Sequence, residues 1–546
     1  MPESVGSGGA LADFDNDGLL DLFLVNSGRS PQAEGDFAEE VRATSRLFRM
    51  LPEHTWQDVS TESGLENVGY GMGCVTGDVD NDGDLDLYVT TVGRDRLYLN
   101  QGGLKFLDVS DSAGFSASEW STGAAFIDYD RDGLLDLFVV NYCEDPQYQF
   151  SVACGFREGL VSYCGPHKFE RTIDRLYHND GLQIDSVSGM QVPRFTDVTE
   201  AAGIGTEPTY GFTVCAGDFT GDHWPDFFVA NDSYPNVLWV NQKDGTFRDE
   251  SVERAVAYNG DGASQGSMGI AIGDLDGERG LDFVVSNLSG ESNTIYLNNG
   301  DGYFDDKTYA MGLERPSRRH TGWGISLIDL DHDGNLDLPM VNGLVIPCHS
   351  GFAPHGDDTF QVRRDHIANP ETYWEDYYDR NRLMLSAGKL VLTDGTVDVG
   401  GDFTRAAGSG RALIRGDVDN DGDVDLLVTN SGSRARLYRN DFTKSGHWLK
   451  LRLFDDAKNR DALGAEVRVE SSTRSWTSVL SPADSYLASH ELRVHFGLGN
   501  VDQIDRIVVL WPDGPVENCA ESFLAEAVDL ELTLRRGSGT RLENDK

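Results

Sequence analysis

Along most of the chain, apolar and polar positions group into short runs of about four to seven residues, the length and spacing of β-strands. Clusters of Asp, Asn and Gly separate them. The runs recur in a fixed order. A small, apolar stretch, such as GYGMGCVTG, YGFTVCAG or GSMGIAIG, leads into a nine-residue acidic segment. A β-rich run follows (DLYVTT, DFFVAN, DLLVTN), then a second strand signal with polar ends (RLYLN, VLWVN, TIYLN, RLYRN). Several units finish on one more short strand, as in KFLDVS, RFTDVT and TFRDES. Four short strands per unit, repeated seven times, predict an all-β fold: a seven-bladed β-propeller over residues 1–441. A C-terminal β-sandwich-like domain is expected at 445–535, and a polar tail at 536–546.

The acidic segments carry the chemistry. They start 65, 50, 90, 56, 55 and 88 residues apart, with carboxylates at positions 1, 3, 5 and 9 and Gly usually at position 6. The first comprises Asp13, Asp15, Asp17 and Asp21; the second Asp78, Asp80, Asp82 and Asp86; the third Asp128, Asp130, Asp132 and Asp136. The fourth retains Asp218, Asp222 and Asp226, with Thr220 at position 3 and His223 at position 6. The fifth has Asp274, Asp276, Glu278 and Asp282, with Arg279 at position 6. The sixth has Asp329, Asp331, Asp333 and Asp337, and the seventh Asp417, Asp419, Asp421 and Asp425. Two like charges about 4.5 Å apart cost roughly 3–4 kcal/mol at an effective dielectric near 20. Four in one loop therefore call for a cation. Ca²⁺ fits, because it accepts six to eight oxygens in irregular geometry, whereas Mg²⁺ keeps its waters. About seven calcium ions are expected, the last Asp of each loop closing the shell with both oxygens. The fourth site should be the weakest. One acidic turn alone would be an ordinary turn, since Asp and Gly are turn residues. Seven with one spacing are not.

At this point the sequence resembles a known family. The repeats are similar to FG-GAP (VCBS-type) propeller repeats. YCGPHKFERTIDRLYHN, VANDSYPNVLWVNQKDGTF and the segment around GSMGIAIGDLDGERGLDFVVSN narrow the likeness to cartilage acidic protein-like proteins. HWLKLRL, NRDALGAEVRV, SYLASHELRVHFGLG and VVLWPDG resemble the ASPIC/UnbV domain. The resemblance implies an exported, calcium-binding propeller of the adhesion or interaction type. It supports fold more than function.

Composition narrows the partners. With 91 Asp and Glu against 45 Lys and Arg, the net charge of −46 repels nucleic acid. No run of about 18 apolar residues offers a membrane-spanning helix. The start lacks a signal-peptide pattern, and the expectation is that a leader has been removed or lies upstream. Outside the cytosol, Cys154 and Cys164 are candidates to pair within the third-unit insertion, the alternative being two free thiols. Cys74 and Cys215, in inner strands, read as small buried apolar residues. GASQG at 262–266 matches the nucleophile-elbow pattern, but Ser264 sits in a polar connector rather than a strand–turn–helix. Cys348, His349, His355, Asp357, Asp358, His366 and Glu371 crowd the 344–380 insertion without a recognised metal spacing.

The leading reading is an extracellular or periplasmic module that binds a protein or glycan. The alternatives are an enzyme with its site in the axial channel or the insertions, and a structural component of a surface assembly. Aromatic residues of the insertions, Tyr142, Tyr377 and Tyr378 among them, are expected to supply the contact surface.

Overall fold

The computed structural model describes residues 2–27, 44–65, 69–144, 153–157, 160–278, 280–345, 375, 377–386, 388, 390–525 and 527–542, without the side chains of 153–157 and 160–163. Strands dominate. Among the described residues, seven successive antiparallel units start with the inner strands Gly9–Ala12, Gly71–Gly77, Glu119–Ile127, Gly211–Gly217, Ile270–Gly273, Gly322–Ile325 and Gly410–Gly416. Each acidic loop joins the inner strand to the second strand. Six units have four strands; the seventh has three. The second and third units share one sheet through the pairs Val92↔Trp120 and Gly93↔Glu119. The inner strands touch in cyclic order, first to second and onward, and the seventh touches the first again. The architecture is propeller-like.

The small apolar stretches have a packing reason. Inner strands converge on the axis, where a side chain would collide with the neighbouring backbone. A Cβ on Gly73 would lie 3.2 Å or less from Leu487, and one on Gly269 would stand 2.1 Å from the Trp323 carbonyl oxygen. Glycine permits that approach. Cys74 and Cys215 are buried free thiols in these strands, as the pattern indicated.

The C-terminal region forms two sheets. One contains His447–Asp455, Arg460–Asp461, Val494–Gly499 and Leu530–Arg535; the other contains Glu466–Glu470, Ser475–Val479, Arg506–Leu510, Ala520–Phe523 and Thr540–Arg541. Thr540 pairs with Ser522, so part of the stretch expected to be a polar tail is an edge strand of this domain. Its apolar core is continuous with that of the second to fourth units, because Leu449, Leu451 and Trp511 belong to one buried cluster with Val75, Phe126 and Phe227.

This domain also fills the ring. Its segment 484–491 enters the axial channel and bonds to five units. Gly9 N–H donates to the Leu487 carbonyl (3.3 Å), and Thr76 N–H to Ser489 Oγ (3.1 Å). Ile270 N–H donates to the Ser485 carbonyl (2.9 Å), Ile325 N–H to Ser485 Oγ (3.1 Å), and Arg415 N–H to His490 Nδ1 (3.1 Å). Ala488–Ser489 lies parallel against Gly9–Ala12 as a fifth strand. Ser485 and Leu487 hold left-handed φ values of 69° and 51°, unfavourable for side-chain-bearing residues and fixed here by those bonds. Tyr486, fully buried, donates its hydroxyl to the Val5 carbonyl (3.0 Å) and packs edge-on against Trp323.

Candidate metal centres

The first, second, fourth, sixth and seventh acidic loops share the same local bonds. In the first, Asp13 accepts from the N–H groups of Asp17 (3.0 Å) and Gly18 (2.9 Å), at positions 5 and 6. Asp417 does the same toward Asp421 and Gly422, both at 3.0 Å. Gly18, Gly83, Gly133, Gly334 and Gly422 all have φ between 85° and 98°, which explains glycine at position 6. In the fourth loop His223 adopts the same conformation with φ 67°. The departure in residue type leaves the turn intact.

The ninth residue anchors the loop. The residue just before position 1 pairs with it in every unit, as in Ala12↔Asp21, Gly77↔Asp86 and Ile328↔Asp337. Both of its oxygens accept backbone N–H groups: Asp86 from Val79 (2.9 Å) and Asn100 (2.9 Å), Asp136 from Tyr129 (3.2 Å) and Asn179 (2.8 Å). The same pair of bonds recurs at Asp21, Asp226, Asp282, Asp337 and Asp425. The expectation that this carboxylate closes the shell of an ion with both oxygens meets a second role, since each oxygen already accepts one N–H group. It is first a structural staple, and only its remaining lone pairs face the cluster.

Burial grades the carboxylates. All seven position-9 residues are buried, the third positions are half-buried, and the fifth are half-buried or exposed. Asp78, Asp80 and Asp86 bring oxygens within 4.8 Å of one another, as do Asp128, Asp130 and Asp136, and Asp274, Asp276 and Asp282. In the first loop the group is Asp13, Asp15 and Asp17. Glu278 is exposed and stands outside the fifth group, and Arg279 lies outside the described residues. Burial, reinforced by the neighbouring carboxylates, pushes Asp21 and Asp337 up to about 8, and Asp78, Asp274 and Asp329 up to about 7. Buried oxygens of Asp15, Asp128, Asp274 and Asp419 have no hydrogen-bond partner. An all-oxygen donor set with partnerless buried oxygens fits a hard cation.

Some loops receive protein cations. Arg49 reaches Asp15 (2.7 Å) and Asp17 (3.0 Å), Arg439 reaches Asp419 (3.0 Å), and Lys243 reaches Asp222 (3.1 Å). The C-terminal domain lies over this face. Lys450 bonds Asp417 (2.8 Å), Asn459 donates to the Asp82 carbonyl (2.7 Å), and Trp476 to that of Gly334 (3.1 Å). A Cβ on Gly497 would stand 1.8 Å from Asp329 Oδ2, so the domain's backbone abuts the sixth loop.

Sequence reasoning missed one recurring residue. An Asn in or just after the third strand sends its side chain to the preceding unit: Asn100 to the Phe14 carbonyl (2.8 Å), Asn179 to Val79 (3.0 Å), and Asn241 to Tyr129 (2.9 Å). Asn298 and Asn440 repeat this toward Phe219 and Leu330. The signal is present in RLYLN, RLYHN, VLWVN, TIYLN and RLYRN, which by themselves indicate only a polar strand end.

Other candidates fare differently. Ser264 is exposed in a connector without a flanking helix. Tyr142 and Tyr377 are buried, Tyr142 stacking on Phe212, so neither supplies an open contact surface. His495 lies half-buried between Trp448 and His332, and Trp511 is a core residue, so both have a structural place. The 348–371 cluster and the Cys154 side chain lie outside the described residues; Cys164 is buried.

Comparison with known proteins gives a consistent family. The ASPIC and UnbV family model matches residues 455–540, and the FG-GAP-like repeat model matches 13–89, 78–139, 218–285 and 279–338. Cartilage acidic protein 1 of Homo sapiens is 26% identical over 383 residues, 67% of this chain and 50% of that protein. Its Xenopus tropicalis counterpart is 25% identical over 332 residues, 59% and 45% of the two chains. The chain thus spans about half the length of the curated relatives it matches. Among solved structures, an Agrocybe aegerita lectin that recognises non-reducing terminal N-acetylglucosamine aligns at 14% identity and TM-score 0.37, covering 79% of this chain and 86% of that one. The exotype rhamnogalacturonan lyase YesX aligns at 13% and 0.37, covering 79% and 72%. At these scores neither alignment carries an argument. Among the described residues, no helix is long and apolar enough to cross a membrane.

Proposed function

We propose, for a chain that belongs to the FG-GAP-repeat proteins with a C-terminal ASPIC and UnbV domain, that it is a calcium-stabilised interaction module working outside the cytoplasm. The seven repeated units are read as the blades of a closed propeller, and each acidic loop as a calcium site. Positions 1, 3 and 9 supply the inner oxygens, and position 5 the solvent-side oxygen. The observation that carries this reading is the convergence of buried carboxylates, some with partnerless oxygens, in loop after loop. Sites of micromolar or weaker affinity fill where calcium is plentiful, which supports an exterior compartment.

The protein or glycan partner is assigned to the end of the ring opposite the acidic loops, because the C-terminal domain already occupies the loop end. The bonds of segment 484–491 to the inner strands favour this reading over an enzyme with an axial site. Metal analysis of the dialysed protein tests the proposal. About seven calcium ions per chain are expected, and a content of zero or one overturns it.

A further inference from the structure

In the third acidic loop a histidine from the neighbouring strand joins two of the loop carboxylates in one group. His178, on the strand Arg175–Ile184, places Nε2 3.2 Å from Asp130 Oδ2 and 3.9 Å from Asp132 Oδ2. Its Nδ1 lies 2.9 Å from Asp180 Oδ1, and Asp180 Oδ2 in turn accepts the Thr196 hydroxyl at 2.6 Å. An ionised carboxylate only accepts, so Nδ1 carries the proton and Nε2 is left facing two further carboxylates. A bare lone pair against carboxylate oxygens at that distance is repelled, so the position calls for positive charge, either a second proton on the ring or a metal ion.

The equivalent strand position shows two other solutions. In the first and seventh units it is Arg49 and Arg439, whose permanent charge is laid on Asp15 and Asp419. In the second, fourth, fifth and sixth it is Leu99, Val240, Leu297 and Leu385, which offer nothing. Only the third unit places an imidazole there. Asp180 fixes the tautomer and orients the ring as in carboxylate–histidine–metal triads. A second observation concerns the adjoining group. Asp128, fully buried, has an Oδ1 without any hydrogen-bond partner, and its group shares Asp130 with the histidine group.

We propose that Asp130, Asp132 and His178 bind a borderline divalent ion of the zinc and cobalt class, beside the calcium position formed by Asp128, Asp130 and Asp136. Imidazole suits these metals, whereas calcium takes oxygen alone. Three protein ligands leave a coordination position for water. Asp132 is exposed and His178 is 24% exposed at the side chain, so an ion can enter from solvent. The site does not require the other six loops to hold calcium.

Co²⁺ titration of the full chain in saturating calcium tests this, read by visible absorption and by X-ray absorption at the cobalt edge. The wild type should take up an equivalent with a nitrogen ligand at micromolar concentration. His178→Arg, which copies the first and seventh units, should lose that equivalent while calcium content and Tm stay near wild type. Asp180→Asn should weaken it by about 10–100-fold. If His178→Arg binds cobalt with unchanged stoichiometry, or the wild type takes up no nitrogen-ligated cobalt, the site does not exist and His178 is a protonated counter-charge. A chain that binds cobalt through His178 but holds no calcium would overturn the calcium reading and leave this one standing.

Discussion

The two ends of the ring are built on opposite principles. At the loop end, buried carboxylates gather and the C-terminal domain brings Lys450 and Arg460 in among them. At the other end, where the inner strands begin, Tyr70, Trp120, Phe212 and Trp323 close around Tyr486 and Val5 in an apolar cluster. The first end rests on charge compensation, so its stability should respond to ions and pH. The second rests on area removed from water and should not. The segment 484–491 links them, with its ion pairs at the loop end and its tyrosine in the aromatic cluster.

Removing calcium should give the largest effect, and it should strike the loop end first. A ligand at 100 times its Kd stabilises by about 2.7 kcal/mol per site, and several sites add. A chelator should lower Tm by roughly 10 °C or more. Hydrogen exchange should open the acidic loops before the inner-strand starts. An unchanged Tm, or simultaneous opening of both ends, would break the contrast.

Cutting the link itself comes next. Burial alone would raise the Asp484 pKa, but Arg415 (2.7 and 2.9 Å) and His490 (2.5 Å) outweigh it and hold the carboxyl below the usual range. Asp484→Asn leaves Arg415 without its counter-charge and should cost about 3–5 kcal/mol. Calcium content should be retained, so calorimetry and metal analysis together separate this loss from ion loss. Loss of calcium along with stability would show that the two ends are not independent.

The pH response sharpens the same comparison. In calcium-free protein, burial raises Asp21 and Asp337 to about 8, and Asp78, Asp128, Asp274, Asp329 and Asp425 to about 7, from an ordinary 3.8. Between those values the folded chain holds more protons than the unfolded one, so its stability falls as pH rises. The calcium-free Tm should therefore be lower at pH 8.5 than at pH 7, and calcium should flatten the slope by replacing the protons. Burial pushes His332 and His495 down to about 4 and 3, and below about pH 6.5 they act in the opposite sense. A calcium-free Tm that rises from pH 7 to 8.5 contradicts the loop-end account.

The smallest effect distinguishes loops from one another. The fourth loop lacks a position-3 carboxylate, and Lys243 sits on Asp222. Thr220 Oγ1, buried and without a partner, is a weak substitute donor. In crystals grown at limiting calcium, this loop should be vacant while the second is filled. The reverse order would remove the argument from carboxylate count.

What was legible in the sequence is what neighbours in the chain decide. The acidic loop closes within itself, through Asp13 to Asp17 and Gly18, and its flanking strands pair directly across it. Nine residues therefore carry both the pattern and the physics, and the β-rich repeat followed. The filling of the channel was not legible, because Tyr486 meets Val5 across 481 residues. The third-strand Asn residues meet carbonyls about 80–110 residues upstream, so their polarity was visible while their partners were not. Tyr142 looked like a contact residue for the same reason: an aromatic beside an insertion reads alike whether it faces solvent or the axis. The sequence by itself determined seven acidic hairpins, since their bonds are local. Only the tertiary structure decided that a C-terminal domain would cover them and seal the ring, since those contacts join segments whose separation carries no local periodicity.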